Sequence, residues 1–194
     1  MCHDHKKAED LLEQILLASS NPNKARELTE ILGINVELIR LELAEPQATN
    51  VSEVIEIKAR DAFQLTGKAV YVEDTGLHFN AWNGLPGALV AWFVKTVGTS
   101  GICRMLEDWE DRSAYAHTML GCYDGNQFRS YSGTMHGTIA FAPAGANGFG
   151  WDAIFIPRGY DLTLAEMEPQ QKHIVSARRE AAEQLKQSLI SRCQ

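Results

Sequence analysis

Four short stretches of this 194-residue chain carry side chains whose types and spacing suit a phosphorylated ligand. The first is Ser19-Ser20-Asn21-Pro22-Asn23-Lys24, which follows the apolar run Ile15-Leu16-Leu17-Ala18. A strand that ends in small polar residues and opens a helix aims backbone N–H groups and the positive end of the helix dipole at one point, a site suited to phosphate. Asn21 is a good N-cap, Pro22 suits the first helical position, and Lys24 falls in the first turn, where the dipole disfavours a cation. A capped helix with a solvated lysine accounts for the same residues, and the glycines of a P-loop are absent. The second stretch is Glu73-Asp74-Thr75-Gly76, expected to close a buried strand over Ala69–Val72. Adjacent carboxylates on a strand point to opposite faces, but at a strand end both can turn toward a cleft, where α/β sheets place ligands. Their hard oxygens suit Mg²⁺, which typically takes one or two carboxylates with waters and substrate phosphates. A solvated turn reads equally well from these four residues.

The third stretch is Asn147-Gly148-Phe149-Gly150-Trp151-Asp152. Its glycines allow a tight loop, its two aromatics offer faces on which a base can stack, and Asp152 can accept from ring or exocyclic N–H groups. Buried lid aromatics would have the same sequence. The fourth is Lys172 with Ser176-Ala177-Arg178-Arg179, which opens the last helix. Cations in a first turn oppose the dipole unless an anion is close, and Glu180 or a ligand could supply it.

The elements that must position these residues alternate. A strand over Ile15–Ala18 leads to a helix from Pro22 that stops at Gly33, and a second strand is expected over Val36–Leu43. A helix begins near Asn50 or Ser52 with Ile55, Ala59, Ala62 and Phe63 on its apolar face and Lys58 at the edge of that stripe. After the Asn83-Gly84-Leu85-Pro86-Gly87 loop, a helix runs from Ala88 to about Val97, breaks at Gly98–Gly101 and resumes to Trp109. Strands are expected between Ser113 and Ile139 around a turn at Asp124-Gly125-Asn126, then a short strand over Ala153–Ile156. The last helix carries Ala177, Ala181, Leu185 and Leu189 at i+4 spacing. Strands mixed with helices and an antiparallel middle section imply an α/β fold: a single domain over residues 1–194 with a mixed central sheet flanked by helices.

Composition narrows the partners. Hydrophobic residues make up 45% and charged residues 22%, with a formal net charge of −7. An acidic chain is a poor match for a nucleic-acid polymer, whose binding is driven by phosphate neutralisation, but it can hold a small phosphate ligand with local cations or a bridging metal. No apolar stretch approaches the ~20 residues of a membrane span, and the N-terminus lacks a signal-peptide core, so a cytoplasmic protein with no membrane partner is expected. Residues 1–13 read as a flexible tail, with Cys2, His3 and His5 solvated rather than metal-bound. Cys2, Cys103, Cys122 and Cys193 form no C-x-x-C pair and are expected as reduced thiols.

Taken in order, the four stretches resemble the inosine triphosphate pyrophosphatase family over about Ile15–Leu189. Ser19–Lys24 looks like its [ST]-x-N-x-x-K phosphate loop, and Val72-Glu73-Asp74-Thr75-Gly76-Leu77 with Asn83–Gly87 looks like its acidic motif and following loop. Phe149-Gly150-Trp151-Asp152 is similar to its base-pocket signature, and Ala165-Glu166-Met167, Lys172 and Ser176-Ala177-Arg178 follow in the family's order. The resemblance implies an elongated fold with an active-site cleft between lobes, a homodimer, and Mg²⁺-dependent hydrolysis between the α- and β-phosphates of ITP, dITP or XTP, with Mn²⁺ an alternative metal. It implies phosphate contacts from Ser19, Ser20, Asn21, Asn23, Lys24 and Lys58, and metal contacts from Glu45 and Asp74, with Glu73 assisting. Asp74 and Lys24 would be catalytic. Thr75, Phe149, Gly150, Trp151, Asp152, Lys172 and Arg178 would contact the rest of the nucleotide.

Two positions depart from the family. Ala177 stands where Ser-His-Arg is usual, and Ala91 stands where a lysine or other polar residue is common. The first departure could relax base specificity, slow turnover or change the preferred nucleotide. The run Leu17–Ser20 is also similar to Maf-type pyrophosphatases, though Asn21-x-x-Lys24 replaces their arginine-rich continuation. A nucleotide-binding sensor that has lost catalysis is the alternative of a different class.

Overall fold

The computed structural model describes residues 15–192. Its short apolar runs pair as parallel strands because helices join them: β1 (Ile15–Ala18) leads into α1 (Pro22–Leu32), which returns the chain to β2 (Val36–Ile39) beside β1. Asn21 caps α1 through its side-chain oxygen, and Gly33 ends the helix in the left-handed region at φ 68°. The second strand is shorter than the expected Val36–Leu43. Among the described residues it is an edge strand paired with β1 alone, and β1 ends at Ala18, opposite Ile39. Leu41 and Leu43 instead pack against the apolar cluster built around α2 (Val51–Thr66).

Capped by Asn50, α2 leads into β3 (Val70–Phe79), which is parallel to β1. This strand does not stop at Val72. All ten of its residues pair with the antiparallel β5 (Ser113–Tyr123), so Glu73 and Asp74 lie within a strand, opposite Leu120 and Met119. The turn reading of Glu73–Gly76 is thereby overturned. Burying charge in mid-strand is costly unless it is paired, and the partners come from distant helices.

After the two-residue strand β4 (Pro86–Gly87), α3 (Val90–Met105) carries the expected break at Gly98, whose φ 69° and ψ 171° are non-helical. The helix ends before Trp109. The hairpin of β5 and β6 (Phe128–Ile139) turns at residues 124–127, as its turn residues imply. The following strand, β7, covers Phe155–Pro157, because Asp152–Ile154 forms a 3-10 turn. Lys172 stands on its own short helix, α4 (Pro169–Val175), and Ser176 caps α5 (Ala177–Ser191).

The sheet runs β2-β1-β3-β5-β6-β7, with β4 on β3, and mixes parallel and antiparallel pairing. Three apolar clusters pack against it. One joins β1, β2 and α1 to α5, one lies between α2 and the sheet, and one joins α3 to β5, β6 and residues 154–167. The described cysteines, Cys103 and Cys122, are buried free thiols. The readings of residues 1–13 and of Cys193 fall outside the described residues. No described helix is long and apolar enough to cross a membrane.

Candidate active site

The site begins where β1 runs out. Ala18 pairs with Val72, and beyond that point β3 has no neighbour on that edge until β4 joins it at Leu77 and His78. Glu73 and Asp74 are the next two residues, and the β1–α1 turn brings Lys24 over them. Its ammonium donates to the Glu73 carbonyl oxygen at 3.0 Å and lies 3.4 Å from Glu73 Oε1 and 3.8 Å from Asp74 Oδ1. Here the fold's carboxyl-end crevice and the charged residues coincide.

Two cavities open at this point. One, of about 570 Å³, is bordered by Ser19, Ser20, Glu45, Lys58 and Glu73 among others. The other, of about 290 Å³, is bordered by Thr75, Phe149, Gly150, Trp151, Asp152, Lys172, Ala177 and Arg178, with an apolar wall that includes Val90, Ala116, Met135 and Leu164. Asn21, Lys24, Asp74, Ala91 and Lys95 border both, so the cavities join into one cleft.

A chain of alternating charges runs beneath the cleft. Asp152 Oδ2 accepts from Lys172 Nζ at 2.7 Å, and Lys172 also donates to Glu27 Oε1 at 2.6 Å. Glu27 pairs in turn with Arg178, whose Nε donates to Glu73 Oε2 at 2.9 Å. Lys24 then links Glu73 to Asp74. Thr75 Oγ1 donates to Glu73 Oε1 at 3.0 Å, and the Thr75 and Thr118 hydroxyls share a hydrogen bond of 2.8 Å. Pairing of this kind is what makes buried charge tolerable, and removing one partner typically costs about 3–5 kcal/mol.

The chain holds four carboxylates (Asp152, Glu27, Glu73, Asp74) against three cations (Lys172, Arg178, Lys24). Its uncompensated negative charge falls at Asp74, the end that opens on both cavities. The two adjacent carboxyls accordingly titrate in opposite directions. Burial alone would raise Glu73, but the Arg178 guanidinium and Lys24 ammonium overcome it and hold the carboxyl down at about 2. Burial pushes Asp74 up, opposed by Lys24 and Lys58 and reinforced by Glu73 and Glu45.

Glu73 is therefore not an open metal ligand. Its side chain is wholly buried, and its oxygens face Arg178, Thr75 and Lys24. Asp74 and Glu45 remain as donors on the larger cavity, where Lys58 Nζ holds Glu45 Oε1 at 2.9 Å. Lys58 is buried on α2 rather than placed at the edge of its stripe. Among the described residues, no three His, Cys, Asp or Glu side chains converge into a metal cage. The Asp74 and Glu45 carboxylates on the larger cavity nevertheless suit a hard divalent ion that completes its shell with water and substrate phosphate.

The phosphate loop differs from expectation in how its groups are used. The Ser19 amide donates to Ile39, the Asn21 amide to Ser19 Oγ, and the Asn23 amide to Asn21 Oδ1. Those N–H groups are committed to β2 or to the turn itself, and Asn23 borders neither cavity. What the loop presents is exposed Ser20 and the Lys24 ammonium.

In the smaller cavity, the Lys172 ammonium and Arg178 guanidinium lie 4.9 and 5.7 Å from the Phe149 ring centroid. Trp151 packs edge-on against Phe155 at 5.5 Å, so it serves the apolar core as well as the cavity. The Phe149 amide donates to Asp152 Oδ2 at 2.8 Å and fixes this loop. Burial pushes the Asp152 carboxyl up, while Lys172 acts against that. Sequence reasoning missed Glu27 and Lys95. A lone glutamate among the apolar positions Ala25, Leu28 and Leu32 is the signal that could have found the first.

The profile of the Ham1 family matches residues 15–188. A Yarrowia lipolytica protein named inosine triphosphate pyrophosphatase is 38% identical over 185 residues, covering 93% of this chain and 97% of its own length. A Hyperthermus butylicus protein named dITP/XTP pyrophosphatase is 37% identical over 174 residues, 88% of this chain and 92% of its own. Among solved structures, a HAM1 protein from Coxiella burnetii superposes with a TM-score of 0.81 at 31% identity, covering 92% of this chain and 98% of that one. The match of profile, sequence and fold over nearly the whole described chain places this protein in the Ham1 family.

Proposed function

We propose that the protein hydrolyses non-standard purine nucleoside triphosphates (ITP, dITP and XTP) to the monophosphate and pyrophosphate, with Mg²⁺ or Mn²⁺ as cofactor. The observation that carries this reading is the charge chain from Asp152, in an apolar cavity with aromatic walls, to Asp74, at a polar cavity bearing lysines and carboxylates. The names of the relatives supply the substrate class.

The triphosphate occupies the larger cavity, contacted by Ser20, Lys24 and Lys58, with Asn21 at its border. A divalent ion held by Asp74 and Glu45 would neutralise phosphate charge and favour departure of pyrophosphate. Asp74, at the border of both cavities, is placed to accept a proton from the attacking water. The water oxygen bonds to the α-phosphorus, the bond to the α–β bridging oxygen breaks, and that oxygen leaves with pyrophosphate. Lys24 stands beside Asp74 to stabilise the developing charge.

The base lies against Phe149 in the smaller cavity. Lys172 has three N–H donors, two of them committed to Glu27 and Asp152. The third meets a 6-keto oxygen, and a 6-amino group cannot accept it. Family membership also supports a homodimer, which sedimentation analysis checks.

Hydrolysis of ITP in H₂¹⁸O tests the reading. Label in IMP and none in pyrophosphate is expected, with turnover abolished by EDTA. Label in pyrophosphate, or release of IDP and phosphate, contradicts it.

A further inference from the structure

Five cationic side chains border the two cavities: Lys24, Lys58, Lys95, Lys172 and Arg178. Four already hold carboxylates: Lys24 faces Glu73 and Asp74, Lys58 holds Glu45, Lys172 holds Glu27 and Asp152, and Arg178 holds Glu27 and Glu73. Among the described residues, Lys95 is the one cation of the cleft with no carboxylate within ion-pair distance. Its ammonium lies over the ring of Trp92, 6.0 Å from the centroid, and Trp92 is itself 57% exposed. An exposed contact of that length holds an ammonium weakly.

The placement of Lys95 is specific. It borders both cavities, a property shared among the described residues only with Asn21, Lys24, Asp74 and Ala91. The first half of α3 carries it as a rim, since Val90 is the only buried residue between the helix start and Gly98, and the non-helical Gly98 separates this rim from the anchored Gly101–Cys103. A long, exposed cation at the seam of a base cavity and a phosphate cavity lies where a nucleoside triphosphate changes from sugar to phosphate. The cleft beneath it bears excess negative charge at Asp74, so a ligand carrying several negative charges needs such a counter-charge on the open side.

We propose that Lys95 is a substrate-binding residue whose ammonium closes over the phosphates of the bound nucleotide from the α3 rim. The inference rests on the triphosphate lying in this cleft, as proposed above. Because Lys95 is free before the ligand arrives, its contact is gained on binding rather than exchanged for an internal ion pair. Ala91 lies one helical turn earlier on the same face and borders the same two cavities, so a lysine there reaches the same ligand.

The test compares the wild type with Lys95→Ala, Lys95→Arg and the double variant Lys95→Ala with Ala91→Lys. Steady-state kinetics on ITP, melting temperature, and the Kd of inorganic tripolyphosphate are read for each. Lys95→Ala is expected to raise KM and the tripolyphosphate Kd about 10-fold, with kcat and melting temperature close to wild type. Arginine at 95, and lysine at 91 in the double variant, recover most of the loss. An unchanged KM and Kd in Lys95→Ala, or a rise that arginine does not reverse, overturns the proposal. If the wild type does not hydrolyse ITP, the enzymatic reading fails, and the tripolyphosphate Kd still decides the role of Lys95.

Discussion

Glu73 and Asp74 are neighbours in sequence but occupy opposite electrostatic situations. Glu73 is held ionised by Arg178 and Lys24, and Asp74 is pushed toward its neutral form by burial. Separate consequences follow for stability and for turnover. The depressed Glu73 carboxyl contributes stability that is fully present above its ordinary value near 4.5 and is lost as pH falls toward about 2. That interval corresponds to about 3 kcal/mol. Glu73→Gln is expected to lower stability at neutral pH by about 3–5 kcal/mol and to flatten the decline between pH 4.5 and 2, as read by denaturant unfolding across that range. A decline of wild-type steepness in the variant would mean that Glu73 is not the linked group. At Asp74 the sign reverses, because the fold disfavours its charge. Asp74→Asn is expected to melt no lower than wild type without metal while kcat falls about 10²–10⁴-fold, the usual weight of a general base. A comparable loss of melting temperature would make Asp74 structural.

At the scale of elements, the helix that carries Arg178 is set by its closeness to the sheet. A Cβ on Gly133 of β6 would overlap the Ala177 carbonyl oxygen at the start of α5. Gln184 bonds both backbone groups of Ser132, and Glu180 accepts from the Thr134 amide at 2.9 Å. Gly133→Ala is expected to cost about 1–3 kcal/mol through overpacking and to raise KM for ITP by displacing Arg178. Calorimetry with kinetics checks both, and a displaced helix with unchanged KM would contradict the assignment. Ala177 begins the same helix and lines the smaller cavity. An imidazole placed there by Ala177→His is expected to raise the kcat/KM preference for ITP over ATP about 10-fold; an unchanged ratio would show that this position does not select the base.

Elements that depend on local chemistry were legible in the sequence. Asn21 and Gly33 bounded α1, Gly98 broke α3, and residues 124–126 marked the hairpin turn. Two strand lengths were not, because pairing partners decide them. The end of β1 cut β2 short, and β5 carried β3 through two carboxylates.

Across the whole molecule, the cleft draws on residues far apart in the chain. Lys172 and Glu27 are 145 positions apart, and Arg178 and Glu27 are 151 apart. This separation explains why the four motif stretches were read as candidates while Glu27, marked only by its place among the apolar positions of α1, was not. Each stretch has local turn and capping chemistry, whereas a buried glutamate makes sense only beside the cations that the fold delivers. Lys95 escaped for a related reason, since a surface lysine on a helix gains meaning only from the cavities it borders. The same distances make the cleft a property of the folded chain, with the α1 end of the sheet and the α4–α5 segment locked together by charge. The measurement that tests the central claim most directly is pyrophosphate release from ITP, XTP, GTP, ATP and dTTP by the purified protein, with Mg²⁺ and with EDTA. Metal-dependent turnover of ITP and XTP well above that of GTP, ATP and dTTP is the expected result; no release from any of them, or preferential turnover of dTTP, would contradict the account.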